Sequence, residues 1–164
     1  MRDPELEADF PKLRNGGYRI TSPHEVGYNC IAHALYDSRQ FWQFMRGRTK
    51  GYFWPLNWNN SLAAWMEVFR LHGFTPCESG ELETETEKIA IYVRPSNSPT
   101  HVARQVESGK WTSKLGKDYD IEHDSLDLLE GDEADEYGKV EVFMKRPRSN
   151  RSAWNEQTNA DKAA

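Results

Sequence analysis

Two side chains of the sequence have the types and positions that nucleophilic catalysis needs. Cys30 follows Asn29, a good helix cap, so the sequence predicts a thiol in the first turn of a short helix. Backbone N–H groups and the helix dipole at such a position favour the thiolate. His101 opens a predicted strand, from which an imidazole can act as a base and then as an acid. Either residue alone is more often structural, but the pair predicts a Cys-His dyad.

A third polar group is needed to orient the histidine through its second ring nitrogen, and its identity depends on the hairpin after His101. A three-residue hairpin loop places Ser113 on the same face of the sheet as His101. A two-residue loop at Ser108-Gly109 places Lys114 there instead. A serine is a weak orienting group and an ammonium is a poor one, so the sequence leaves both registers open.

Further candidates lie close to these positions in the chain. Asp120 and His123, in the segment DIEH, could orient the histidine from a loop that folds back. The backbone N–H of the nucleophile can stabilise an oxyanion, with help from the side chain of Asn29. Arg104 and Gln105 could line a pocket for an acidic or polar substrate. The simpler interpretation of Asn29 is a helix cap, and that of Arg104 and Gln105 is a pair of strand residues that face solvent.

A metal site is a weaker interpretation of the same region. Cys30 and His33, three positions apart, could contribute half of a zinc site, but the sequence has no CxxC or HExxH spacing. The acidic segments 78–87 and 118–136 have no twelve-residue calcium loop and are interpreted as solvated charge. We therefore predict no metal and no cofactor, and we expect His33 to be a partly buried helix histidine.

The elements that would position these groups follow from periodicity and turn residues. Apolar side chains recur three and four positions apart after Ser61, which predicts a helix that Gly73 ends. Beyond an acidic loop, apolar and polar residues alternate and predict strands. Helices are predicted from Asn29 to about Asp37, at 61–73 and, shorter, at 125–129, and strands at 88–94, 101–107, 110–115 and 139–145. Helices followed by an antiparallel sheet indicate an α+β fold.

The predicted domain organisation is simple. Residues 1–26 contain closely spaced prolines and glycines, which predict an extended lead-in. Residues 27–146 form one domain, and residues 147–164 form a polar, disordered tail. The aromatic segment 41–58 is predicted as a short helix and a loop whose rings are core or, alternatively, a surface for a partner protein.

Composition excludes several classes of protein. The net charge of −5 argues against a nucleic-acid binder, and two cysteines are too few for a disulfide scaffold. No stretch approaches the roughly 18 apolar residues of a membrane span, and the N-terminus has no apolar signal region. Aromatic residues make up 12% of the chain, which indicates a folded core. We expect a cytoplasmic protein with a peptide or protein substrate, and neither nucleic acid nor membrane as a partner.

Several blocks of the sequence resemble a known family, and they are YNCIAHAL, YFWP, EKIAIYV, THVARQ, WTSKLG, DIEH and YGKVEVFMKR. They are similar to small bacterial proteins defined by a domain of unknown function (DUF7689), over residues 27–146. HVARQVESGKWTSKL also resembles the histidine strand pair of papain-like hydrolases of the NlpC/P60 type. The resemblance implies N-terminal helices packed on a small antiparallel sheet. By analogy it implies a cysteine peptidase, amidase or acyltransferase acting on an amide, isopeptide or thioester bond, with a binding module or a toxin- or effector-type protease as alternatives.

Overall fold

The computed structural model describes residues 2–22, 29–36, 41–42, 52–53, 60–115, 119–133 and 136–148. Its α-helices are α1 (Pro4–Asp9), α2 (Cys30–Ala34) and α3 (Leu62–Leu71), and 3₁₀ helices span Pro11–Asn15 and Leu126–Leu129. The strands are β1 (Tyr18–Ser22), β2 (Phe41–Trp42), β3 (Tyr52–Phe53), β4 (Thr75–Cys77), β5 (Thr86–Val93), β6 (Pro99–Gln105), β7 (Trp111–Lys114), β8 (Asp120–His123) and β9 (Lys139–Pro147).

Seven strands form one antiparallel sheet in the order β1-β8-β7-β6-β5-β9-β4. The short strands β2 and β3 pair in parallel as a separate ladder. β5 is buried along nearly its whole length, as expected for a strand that is covered on both faces. The predicted mixture of helices and an antiparallel sheet is confirmed. The sheet is larger than predicted because the sequence pattern does not reveal β1, β4 and β8.

One face of the sheet, here called the helix face, is covered by α2 and α3. The side-chain oxygen of Ser61 accepts a hydrogen bond from Ala64 N–H at 3.1 Å, which caps α3 as the sequence predicts. The chain leaves α3 through Gly73, whose φ of 89° favours glycine. The buried apolar side chains of this layer come from both helices and from β5, β6 and β9, and they include Ile31, Leu35, Trp65, Phe69, Phe74, Ile89, Ile91, Val102 and Met144.

The opposite face, here called the N-terminal face, is covered by residues that were predicted as an extended lead-in, so that prediction is corrected. Asp3 caps α1 by accepting from the N–H groups of Glu5 and Leu6 at 2.9 and 3.0 Å. Prolines at the starts of α1 and the 3₁₀ helix cost little, because the first N–H groups of a helix have no internal partner. The lead-in folds because Leu6, Phe10 and Leu13 are buried against the sheet.

The acidic segment after β7 also differs from its prediction as a loop. Asp120–His123 forms β8, which pairs with β7 on one side and with β1 on the other. Ile121 and His123 are fully buried on alternate positions, while Glu122 pairs with Arg19 of β1 at 3.2 Å. The predicted short helix that follows is a 3₁₀ helix at Leu126–Leu129. One of the two partner strands of β8 is β1, which lies far away in sequence and is not part of a local pattern.

Two further predictions fall mainly on parts of the chain that the structure does not describe. Of the aromatic segment 41–58, only the strand backbones of β2 and β3 are described. Of the predicted tail 147–164, residues 147–148 are described, and Pro147 ends β9. Among the described residues, none of the helices is both long and apolar enough to cross a membrane.

Candidate functional site

Cys30 occupies the first turn of α2, as predicted. The side-chain oxygen of Asn29 accepts a hydrogen bond from Ala32 N–H at 3.1 Å and caps the helix. Burial raises the pKa of the Cys30 thiol to about 11, and hydrogen bonding to the backbone of Val102 and Ile31 opposes this only in part. The predicted stabilisation of a thiolate is therefore not what this environment produces. α2 is only five residues long, and burial outweighs what its start can contribute.

His101 is held on the N-terminal face of the sheet. Its ring stacks on Tyr137 with 4.2 Å between centroids and 7° between planes. Its Nε2 atom lies 2.9 Å from Oγ of Ser113. Burial lowers the pKa of His101 well below its ordinary value of 6.5, so the ring is neutral at neutral pH.

Ser113 is the predicted candidate that the structure brings to His101. β6 pairs with β7 at Arg104–Thr112 and Gln105–Trp111, which is the register of the three-residue loop. The N–H of Val106 donates to the carbonyl of Lys110 at 2.9 Å and closes that loop. The first of the two registers is therefore the one observed, and it places Ser113 on the His101 face.

The network on the N-terminal face continues beyond Ser113 to His123. The hydroxyl of Ser113 lies 2.8 Å from Nε2 of His123, and Nδ1 of His123 lies 2.9 Å from the carbonyl oxygen of Ser125. Burial lowers the pKa of His123 to about 4, although nearby carboxylates act in the opposite direction. The sequence offers one sign of this arrangement, since Ile121 and His123 share the alternation of a strand with one buried face.

Cys30 and His101 lie on opposite sides of β6. The thiol belongs to the core layer of the helix face and interacts with the backbone of Val102, the residue after His101. The imidazole packs against Tyr92 and Tyr137, which belong to the layer of the N-terminal face. The structure thus places the thiol beside the strand that carries the histidine, and it gives the two side chains to different core layers.

Asp120 does not orient His101, which corrects that prediction for the third group. Its carboxylate lies on the helix face, where Oδ2 is 3.6 Å from Nδ1 of His33 and Oδ1 is 3.8 Å from Nζ of Lys114. Nε2 of His33 lies 2.9 Å from the hydroxyl of Thr112. Burial lowers the pKa of His33 to about 4, and the Asp120 carboxylate opposes that shift. Asp120 therefore belongs to a second polar network, beneath α2.

Comparison with known proteins assigns the chain to one family. The DUF7689 family model, described as a domain of unknown function, matches residues 19–145. The chain belongs to the DUF7689 family. The match begins in β1 and ends in β9, so this DUF7689 region includes every candidate site residue. No curated protein and no solved structure matches the chain significantly.

Each of the other predicted binding residues of the DUF7689 region has a structural partner. The side-chain oxygen of Asn29 caps α2. Arg104 lies on the helix face with its guanidinium carbon 3.7 Å from the ring centroid of Tyr36. Gln105 donates to the carbonyl of Gly80 at 2.6 Å and so fixes the segment after β4. Asn29 directly precedes Cys30 at the start of α2 and Arg104 shares the helix face with Cys30, whereas Gln105 lies on the other face of β6.

Two groups that sequence reasoning undervalued are the histidines His33 and His123. The sequence predicts His33 as a partly buried helix histidine and His123 as one of several orienting groups, and the structure makes each a member of a buried polar network. Within the part of the chain that the structure describes, no group of three or more His, Cys, Asp or Glu side chains is arranged to hold a metal ion. The arrangement offers a buried thiol on the helix face and neutral imidazoles, which can accept a proton, on both faces of the sheet.

Proposed function

We propose that the chain is a cysteine-dependent acyl hydrolase or acyltransferase with a papain-like, NlpC/P60-type arrangement. In this proposal Cys30 is the nucleophile and His101 is the base, and Ser113 orients the imidazole. One observation carries it: the thiol lies against the backbone of β6 at the residue after His101, whose Nε2 is already held by Ser113. The substrate class is an amide, isopeptide or thioester.

The starting state of the proposed reaction is a neutral thiol and a neutral imidazole on opposite sides of β6. The pKa of the thiol is raised and that of His101 is lowered, so an ion pair is disfavoured at neutral pH. Because the β6 backbone lies between the two side chains, the proposal requires α2 or β6 to shift as the substrate binds, so that the imidazole reaches the thiol. His101 takes the thiol proton while sulfur attacks the carbonyl carbon, and the backbone N–H of Cys30 donates to the oxyanion.

Breakdown of the tetrahedral intermediate completes the cycle. The imidazolium of His101 gives its proton to the leaving nitrogen or sulfur as the bond to the carbonyl carbon breaks. Water, or an acceptor nucleophile in the transfer reaction, then attacks the Cys30 acyl-enzyme while His101 takes its proton. Collapse of that intermediate returns the proton to sulfur and releases the acid or the transferred acyl group.

The test is the pH profile of Cys30 alkylation by iodoacetamide, followed on the Cys30 peptide by mass spectrometry. If His101 is the base, the rate stays nearly constant between about pH 6 and 9, because the imidazole remains unprotonated throughout. In the variant His101→Gln, reaction requires free thiolate, so the rate falls by about tenfold for each unit of pH below the thiol pKa. Alkylation of Cys77, which faces the carbonyl of Ser79 at 3.6 Å, is the internal control.

Two matched variants make the outcome specific to His101. His72→Gln removes another buried histidine, whose Nδ1 lies 2.7 Å from the Val68 carbonyl, and should keep the flat profile. His33→Gln removes the histidine on the helix face and should also keep it. A wild-type profile that already rises with pH, or one that becomes steep only in His33→Gln, would contradict the proposal.

The raised pKa of the Cys30 thiol favours one second candidate, a non-catalytic binding module on the same fold. In that case the buried thiol is a small apolar side chain of the helix-face core. The alkylation profile separates the two functions, because a structural thiol reacts only as thiolate and gives the same steep profile in wild type and His101→Gln.

A further inference from the structure

The hydrogen-bond chain on the N-terminal face has a direction that its chemistry fixes. It starts at the carbonyl oxygen of Ser125, which lies 2.9 Å from Nδ1 of His123. A carbonyl can only accept a hydrogen bond, so Nδ1 of His123 must carry a proton. In a neutral imidazole the other nitrogen then has a lone pair, so Nε2 of His123 is an acceptor.

The direction passes through Ser113 to His101. The hydroxyl of Ser113 lies 2.8 Å from the accepting Nε2 of His123, so it donates its single proton there. That hydroxyl has no second proton for Nε2 of His101, which lies 2.9 Å away. The contact is therefore made with Nε2–H of His101 as the donor, which leaves Nδ1 of the same ring unprotonated.

We infer that His123 is a positioning residue that holds His101, through the hydroxyl of Ser113, in the Nε2–H tautomer. The inference rests on the proposed function, because it assigns Nδ1 of His101 as the atom that takes the proton from Cys30. His123 never touches the reacting atoms. It decides which nitrogen of another ring is basic, from a strand that is not adjacent to the one that carries His101.

The surroundings of both rings favour a neutral, fixed pair. His101, Ser113 and His123 are all at most 1% exposed. Tyr137 stacks on the His101 ring. Burial lowers the pKa of both histidines, and a positive charge on His123 or on His33 would lower the pKa of His101 further. A neutral ring has a single N–H, so its hydrogen-bond partners determine which nitrogen carries the proton.

The direct test is the nitrogen NMR spectrum of the full chain, with histidine labelled by nitrogen-15, at neutral pH. We expect opposite tautomers, with His101 protonated at Nε2 and His123 protonated at Nδ1. Comparison with spectra of His101→Gln and His123→Gln assigns the signals. A His101 ring protonated at Nδ1 in the wild-type chain would overturn the inference, and this measurement needs no destabilised variant.

Variants then ask whether His123 acts through Ser113. His123→Leu can neither accept from Ser113 nor donate to Ser125, so His101 should show a mixture of tautomers. The plateau rate of Cys30 alkylation should then fall by roughly tenfold, less than the about hundredfold loss expected when the base itself is removed. His123→Gln keeps one acceptor and one donor at the end of its side chain, so it should restore the Nε2–H tautomer and most of the rate.

The two proposals fail in different ways. If His101 has the expected tautomer but wild-type alkylation shows no plateau, the proposed function fails and the tautomer assignment stands. If the plateau is present but His123→Leu, folded by circular dichroism, keeps both the tautomer and the rate, the role of His123 is excluded. Ser113→Ala should reproduce the His123→Leu tautomer mixture, and an unchanged His101 spectrum in that variant would also contradict the inference.

Discussion

The two faces of the sheet bury histidines in opposite electrostatic settings. On the helix face, His33 lies between a hydroxyl and the Asp120 carboxylate, and Lys114 is 3.8 Å from that carboxylate. On the N-terminal face, His101 and His123 are linked by one serine hydroxyl. One face therefore relies on formal charges, and the other relies on neutral hydrogen bonds with a fixed direction.

This difference shows that the alternation of strand residues decides which polar groups can cooperate. Thr112, Ser113 and Lys114 are consecutive in β7, yet Ser113 joins one network and its two neighbours join the other. A charged network is strong only while its partners remain paired, whereas a neutral chain loses less when one link is removed. The following variants test that contrast.

The largest expected effect is on the charged face, from Lys114→Met. Lys114 is fully buried, and its loss leaves the carboxylate of Asp120 in the interior without this cation. We expect the free energy of unfolding in urea to fall by about 3 to 5 kcal/mol, as when one partner of a buried ion pair is removed. Asp120→Asn added to Lys114→Met should recover part of the loss.

Lys110→Met is the matched control, because Lys110 lies four residues earlier and forms an exposed pair with Asp124 at 3.2 Å. That substitution should change the free energy of unfolding by less than about 1 kcal/mol. Equal losses in the two methionine variants would show that burial does not distinguish the two ion pairs, and the contrast between the faces would lose its energetic basis.

Acid is the next largest test. It protonates buried histidines on both faces, and a variant of His123 isolates the contribution of the neutral face. The pKa of His123 is about 4 in the folded chain, compared with an ordinary value of 6.5. The unfolded chain therefore binds more protons between these values, so stability is kept above pH 6.5 and lost as the pH falls toward 4. A difference of about 2.5 pKa units corresponds to roughly 3 kcal/mol.

The measurement is the free energy of unfolding at about pH 7.5 and at about pH 4 in the wild-type chain and in His123→Gln. The glutamine variant has no imidazole to protonate at this position, so its stability should fall by about 3 kcal/mol less over that interval. The carboxylates of Asp124, Asp127 and Glu122, which favour protonation of His123, are present in both proteins. An identical pH dependence in the two would contradict the assignment of a buried, neutral His123.

The sequence predicted those elements of the fold whose signals lie within a few residues of them. The helix at Leu62–Leu71, the Asn29 cap and the core strand β5 follow from periodicity and cap residues close to them. β8 was not predicted, because its acidic residues pair with Arg19, His33 and Lys114 on other elements, and the local pattern does not show those pairings. β4 contains Pro76 and lies at the sheet edge, where a missing N–H is tolerated.

The candidate site follows the same rule. Ser113 could be predicted from the sequence, because a short hairpin allows only a few strand registers and one of them places Ser113 on the same face as His101. The separation of Asp120 from His101 needed the strand β8, which the local pattern does not show. The predicted direction of the Cys30 pKa shift was wrong, because the sequence shows the start of the helix but not the burial of the thiol.

The smallest expected effect compares one hydroxyl from each network. Ser113→Ala removes hydrogen bonds to two buried histidines and should lower the free energy of unfolding by about 1 to 3 kcal/mol at neutral pH. Thr112→Val keeps the shape of its side chain and removes one bond, to His33, so it should cost about 1 kcal/mol. Ser108→Ala in the exposed hairpin loop is the control, with a change within about 0.5 kcal/mol. A larger loss of stability in Thr112→Val than in Ser113→Ala would contradict this comparison. The Thr112 hydroxyl would then stabilise the charged face more than the Ser113 hydroxyl stabilises the neutral face.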